Sequence, residues 1–133
     1  MKANEFIKKW GVESIIERLA NAPESATVIS GLTCMFFKSH SEDGWSQVYM
    51  TDIGECSHTR FAPIVSPIEI KELKRLIESH ELVERFDGLD SCKLGLYYLD
   101  KNNISSFEHR FVDDLSCTTI RFKQVIADVE ACQ

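Results

Sequence analysis

No stretch of about 18 apolar residues occurs in the chain, which excludes a conventional transmembrane helix. The N-terminus, Met1-Lys2-Ala3-Asn4-Glu5-Phe6-Ile7-Lys8-Lys9, has no apolar core of the kind a secretory signal requires. Neither half of the chain carries an excess of basic side chains. Residues 1–65 hold six basic and eight acidic residues, and residues 66–133 hold nine and thirteen. Nucleic-acid binding relies on clustered Lys and Arg to neutralise phosphates, so this balance argues against it. Cysteine pairing is also missing. The five cysteines (Cys34, Cys56, Cys92, Cys117 and Cys132) are odd in number and widely spaced, with no C-x-x-C. That pattern reads as free thiols in a reducing cytoplasm. Only three prolines and six glycines interrupt the chain, and no repeat or low-complexity tract is visible.

What is present suits a folded protein. The 133 residues are 44% hydrophobic and 27% charged, with a net charge of −6. This length is expected to form one domain, 1–133, with enough core to fold without disulfides or metal. Three regions differ in character: a helical pair over 1–24, a β-hairpin region over 27–65, and a mainly helical part over 66–133. The expected class is α+β, with helical N- and C-terminal parts packed on a small antiparallel β-hairpin or sheet.

At the N-terminus, Asn4 can cap a helix whose apolar side is Phe6, Ile7 and Trp10, and Gly11 suits its end. Val12 to about Asn21 continues as a second helix with Val12, Ile15, Ile16 and Leu19 at helical spacing, stopped by Pro23. The pair invites comparison with a helix-turn-helix. However, Arg18 is the sole basic residue of the second helix, beside Glu13 and Glu17, and packing explains the pair better. Thr33–Lys38 and Trp45–Thr51 read as the arms of a hairpin around the polar turn Ser39–Gly44. Thr27–Ile29 and Arg60–Val65 are candidate strands beside it, with breaks at Gly54 and Pro63.

Ser66-Pro67-Ile68-Glu69 has the form of a capping box, with Ser66 as N-cap and Pro67 at the first helical position. The helix it predicts carries Ile70, Leu73, Leu76, Ile77, Leu82, Val83 and Phe86 along one side and runs to about Asp87, closed by Gly88. Glu81 and Arg85 are spaced as an i,i+4 pair, and His80 falls beside the apolar stripe as a half-buried, hydrogen-bonded residue. Leu89–Asp100 fits either a helix or a strand, and a cap at Asp90 favours the helix. A turn at Lys101–Asn103, an extended piece at Phe107–Val112 and a helix from about Thr118 to Ala131 complete the chain.

The chemistry-bearing residues are sparse. Cys56-x-His58 is the one close pair of metal-type ligands, and zinc sites want four ligands, usually from two such pairs. The second pair is missing, so neither a metal nor a cofactor is expected. Asp113-Asp114 reads as a solvated doublet. No G-x-S-x-G, P-loop, G-x-G-x-x-G or H-E-x-x-H is present, and no catalytic residues are assigned. Aromatic side chains instead concentrate in the hairpin, at Phe36, Phe37, Trp45 and Tyr49. Most are expected in the core; Phe36, Trp45 and Tyr49 are the candidate partner-binding residues, because Trp and Tyr anchor interfaces.

Three segments, Met1–Val12 (MKANEFIKKWGV), Ile70–Leu89 (IKELKRLIESHELVERFDGL) and Val125–Gln133 (VIADVEACQ), resemble pieces of small accessory proteins of lambdoid bacteriophages and enterobacterial prophages. The resemblance covers about a third of the chain and excludes the hairpin. It implies a phage or prophage gene expressed in the bacterial cytoplasm, with a role in modulating host proteins or defences. The expected function is therefore a non-enzymatic module that binds a host or phage protein, with no nucleic-acid or membrane partner and with homo-oligomerisation compatible. Two alternatives remain: a small enzyme using Cys56 or His58, and a DNA-binding regulator using residues 4–21.

Overall fold

The computed structural model describes residues 1–39, 44–60, 63–104, 106–107 and 117–133. Its helices and antiparallel strands place the protein in the α+β class. Contacts divide the chain into two compact units, Met1–Arg75 and Leu76–Gln133.

The first unit opens with α1 (Ala3–Trp10) and α2 (Val12–Ala20). Asn4 is not the cap. The helix begins one residue earlier, and the Glu5 carboxylate accepts the Lys2 N–H at 3.0 Å, which satisfies one of the donors a helix start leaves open. Gly11, at φ +82°, ends α1 and starts α2, a conformation that disfavours any residue with a Cβ.

Five strands follow: β1 (Val28–Ser30), β2 (Phe36–Ser39), β3 (Trp45–Thr51), β4 (Gly54–Arg60) and β5 (Pro67–Glu69). They form one sheet in the order β4-β3-β2-β1-β5, each neighbouring pair antiparallel. The expected hairpin is β2–β3, with Phe36 opposite Val48 and Phe37 opposite Gln47. Its first arm is shorter than Thr33–Lys38, because Cys34 takes φ +60° and turns the chain ahead of the strand. Of the strand expected at Arg60–Val65, residues 63–65 are not extended into a strand; β4, which was not expected, ends at Arg60 and returns from β3 through the turn at Thr51–Gly54. The polar turn at 40–43, residues 61–62, most of Phe107–Val112 and the Asp113-Asp114 doublet fall outside the described residues.

Ser66–Glu69 departs from the expected capping box. These residues do not start a helix. Ser66 sits at φ +51°, outside the extended backbone an N-cap adopts, and Pro67–Glu69 pairs with β1. Ile68 lies opposite Ile29, and both are buried. Burying that pair outweighs a solvent-side cap. Pro67 suits the first position of an edge strand, where its missing N–H breaks no ladder. α3 (Ile70–Arg85) then begins at Ile70, whose N–H reaches the Thr27 carbonyl at 3.0 Å. Backbone from the sheet thus does part of the work assigned to the Ser66 side chain. Gly31 passes close to this corner. A Cβ there would stand 3.1 Å from Ile68 Cδ1 and 3.2 Å from Ser66 Cβ, so only glycine fits without displacing them.

Buried side chains come from both the helices and the sheet of the first unit, including Phe6, Ile7, Ile15, Val28, Ile29, Phe37, Val48, Ile68 and Leu73. Ser30 is buried too, but satisfied: its hydroxyl donates to the Val65 carbonyl at 2.7 Å and accepts from the Leu32 and Thr33 N–H groups.

The second unit contains the end of α3, then α4 (Leu89–Lys101), β6 (Ser106–Phe107), β7 (Cys117–Thr118) and α5 (Thr119–Ala131). Asp87, at φ +69°, is the left-handed residue that closes α3, and Gly88 after it also takes a positive φ, +98°. The Gly88 N–H reaches Val83 O and the Asp87 N–H reaches Glu84 O, the paired bonds of a Schellman ending. Residues 89–100 are helical, as expected, with Gly88 rather than Asp90 at the cap. Asn103 repeats the left-handed ending after α4. The core joins Val83, Cys92, Leu99, Phe122, Val125, Ile126 and Val129. Phe86 meets Phe122 edge to face, with ring centroids 5.3 Å apart. One polar pair is buried nearby, the Ser79 hydroxyl donating to Asp128 Oδ2 at 2.8 Å. His80 is half-buried with Nδ1 2.8 Å from the Leu76 carbonyl, as its place beside the stripe predicted.

Candidate functional site

Residues directly opposite one another in an antiparallel sheet share a face, and successive residues alternate. The registers therefore sort the aromatic cluster. Trp45 and Tyr49 lie on one face of β3, with Phe37 of β2 opposite Gln47 between them. Cys56 and His58 of β4 are on that same face, opposite Tyr49 and Gln47. Phe36 pairs with Val48 and points to the other face. The three candidate partner-binding residues are thus not one patch. Trp45 and Phe36 are half-buried, while Tyr49 is 45% exposed.

The exposed apolar character continues past Tyr49 to the end of the β3–β4 hairpin, where Met50 is 56% and Ile53 is 93% exposed. The turn beneath Ile53 is ordered by Thr51, whose hydroxyl donates to the Gly54 carbonyl at 2.8 Å and accepts the Ile53 N–H at 3.4 Å. β4 is an outer strand of the sheet. Its Glu55 accepts the Ser25 N–H at 3.3 Å, and hydrogen bonding from Ser25 holds the carboxyl below its ordinary pKa. This ties the hairpin to the loop after α2.

The Cys56 thiol lies 3.6 Å from the Thr51 hydroxyl. Among the described residues, no group of three His, Cys, Asp or Glu could hold a metal. The side chains of His40, His109 and Cys117 lie outside the described residues. In the helical pair, Arg18 and Lys9 both approach the Trp10 ring, 5.0 and 5.4 Å from its centroid. Two of the basic side chains that a DNA-binding role would need are engaged with an aromatic neighbour in their own unit.

Grooves among the described residues accompany these surfaces. One, of about 110 Å³, is lined by Met35 and Phe37 with Ser30, Thr33 and the 63–65 segment. Another, of about 380 Å³, lies between α4 and α5, over Leu96, Tyr97, Ile126 and Ala127. Ion pairs Lys93–Glu130 (2.8 Å) and Lys123–Asp100 (2.9 Å) flank it. Glu130 also raises the pKa of Lys93, by hydrogen bonding and by its charge.

Sequence reasoning missed the outer side of α4. Leu94, Tyr97 and Tyr98 are 72%, 65% and 63% exposed, although Cys92 and Leu99 on the same helix are in the core. The signal was available: Leu94, Tyr97 and Tyr98 stand at i, i+3 and i+4, a second apolar stripe beside Leu89, Cys92, Leu96 and Leu99. No helix among the described residues is long and apolar enough to cross a membrane. The fold and these surfaces define an α+β protein with exposed apolar faces. No protein-family model, curated protein or solved structure matches the chain.

Proposed function

We propose that the protein is a non-catalytic interaction module that binds a host or phage protein through the free end of the β3–β4 hairpin. The observation that carries this reading is that the end of this hairpin keeps apolar side chains in water on both faces and in its turn: Tyr49 on one face, Met50 on the other and Ile53 in the turn, at 45%, 56% and 93%. Isolated exposed apolar residues are ordinary, whereas three at one hairpin end give it an apolar tip that a partner can enclose from both faces. The outer edge of β4 adds backbone donors and acceptors that an extended segment of a partner can pair with. Trp45, half-buried on the Tyr49 face, would underlie the contact rather than make it. The resemblance to phage and prophage accessory proteins supports the setting of a bacterial host cytoplasm and a role in modulating a host protein. The acidic balance favours a partner with a basic surface.

The test compares capture from an enterobacterial lysate by the wild-type chain and by a Tyr49→Ser/Ile53→Ser variant. The expected result is one protein retained by the wild type and lost from the variant, with the melting temperature of the variant unchanged. A captured protein that the variant retains in full would refute the hairpin as the site. A salt-sensitive, sequence-dependent shift of duplex DNA would refute the class.

A further inference from the structure

We infer that the outer stripe of α4 is a self-association surface, taking a second copy of this chain in an antiparallel, two-fold helix pair. Asp90, Leu94, Tyr97 and Lys101 are all exposed and follow one another at intervals of four, three and four residues, the spacing of a helix-pairing seam. Tyr98 widens the seam beside Leu94. A soluble helix apolar on two sides is one whose second side is covered. The inner side of α4 is accounted for by Cys92 and Leu99 in the core; the outer side is not.

The ends of the stripe identify its occupant. Asp90 stands at the N-terminal end and Lys101 at the C-terminal end. The four positions are symmetric about the midpoint between Gly95 and Leu96. A two-fold axis through that point sets Leu94 against Tyr97 of the second copy, and Asp90 against its Lys101, twice over. The surface is thus complementary to itself in both apolar content and charge, which is what an isologous contact requires. A parallel arrangement would instead set Asp90 against Asp90 and Lys101 against Lys101. The other charges of α4 do not compete, because Lys93 and Asp100 form ion pairs with Glu130 and Lys123 of α5.

A helix of 13 residues is only about 20 Å long. Such a contact falls below the area of roughly 1,200–2,000 Å² that tight complexes bury. The association should therefore be reversible, with a Kd in the micromolar range.

Sedimentation equilibrium of the full chain from about 1 to about 500 µM tests this. The wild type should pass from monomer to dimer across that range, and Leu94→Glu should weaken dimerisation at least about tenfold. Asp90→Lys and Lys101→Asp should each weaken it, because each sets like charges together. The double variant D90K/K101D should return to within about twofold of the wild type. All four positions are exposed, and far-ultraviolet circular dichroism of each variant confirms that it is folded. Should Leu94→Glu fail to fold, the charge-swap series decides alone. A wild type that stays monomeric throughout overturns the inference. So does a dimer indifferent to Leu94→Glu, or a double variant no stronger than the weaker single one. These outcomes are independent of the hairpin variant, which reads capture of a different protein.

Discussion

Replacing Ser66 by glycine separates two readings of the chain around Pro67 by the sign of one number. In the fold, Ser66 is held at φ +51° as the chain turns into β5. An L-residue in left-handed backbone costs about 1–2 kcal/mol, which glycine avoids. Glycine also raises the entropy of the unfolded chain, which removes about 0.5–1 kcal/mol of that gain. The Ser66 carbonyl bond to the Gly31 N–H, at 2.8 Å, uses only backbone and survives the change. The net expectation is that Ser66→Gly stabilises the protein by about 0.5–1 kcal/mol, raising Tm by roughly 2–5 °C. Were Ser66 a helix cap, glycine would cost a few tenths of a kcal/mol and alanine about 1 kcal/mol. In the strand reading Ser66→Ala keeps the same strain and changes stability by less than about 0.5 kcal/mol. Paired thermal and urea melts of the two variants measure this. A Ser66→Gly protein that melts below the wild type, with Ser66→Ala lower still, would refute the strand and restore the cap.

Phe122→Ala should cost about 3–5 kcal/mol, since the ring is buried against Phe86, whereas Ile120→Ala, at an 80% exposed position, should stay within about 0.5 kcal/mol; denaturant midpoints compare them. Ser79→Ala should cost about 1–3 kcal/mol by leaving Asp128 short of a donor in a buried setting, and a near-neutral midpoint would contradict that. Cys34 and Cys56, half-buried, should be alkylated before Cys92 and Cys132, at 1% and 9% exposure, as peptide mass mapping over a time course will show. Burial first and the Asp87 charge second hold the Cys92 thiol above its ordinary pKa. Its contribution to stability is therefore complete below the unfolded thiol value and is lost as pH rises through the folded one. Cys92→Ala should flatten the alkaline fall in Tm.

Much of this architecture was legible locally. The helices at 12–20, 70–85 and 119–131 announce themselves through apolar spacing of three and four, because a helix satisfies its own backbone and needs only one buried side, whereas 89–101 fits a strand pattern as well and its helix is capped at Gly88, not at the expected Asp90. The β2–β3 hairpin was legible for a related reason: its arms are neighbours in sequence, so composition and an intervening polar turn suffice. β1 and β5 were different. They are three residues each and meet across the whole hairpin, so no local pattern encodes their pairing. Ser66-Pro67-Ile68-Glu69 is a sound capping box in isolation, and it lost to Ile68 finding Ile29.

The surfaces divide in the same way. Sequence alone determined that Trp45 and Tyr49 share a face, because alternation along a strand is a property of backbone geometry. Which apolar residues stay in water was decided only by the tertiary structure. Leu94 and Leu99 are the same residue type five positions apart on one helix, yet Leu99 is 7% exposed and Leu94 is 72% exposed. Periodicity states which residues travel together around a helix. It does not state which side the rest of the chain will cover, because that depends on where the buried side of α5 comes to lie.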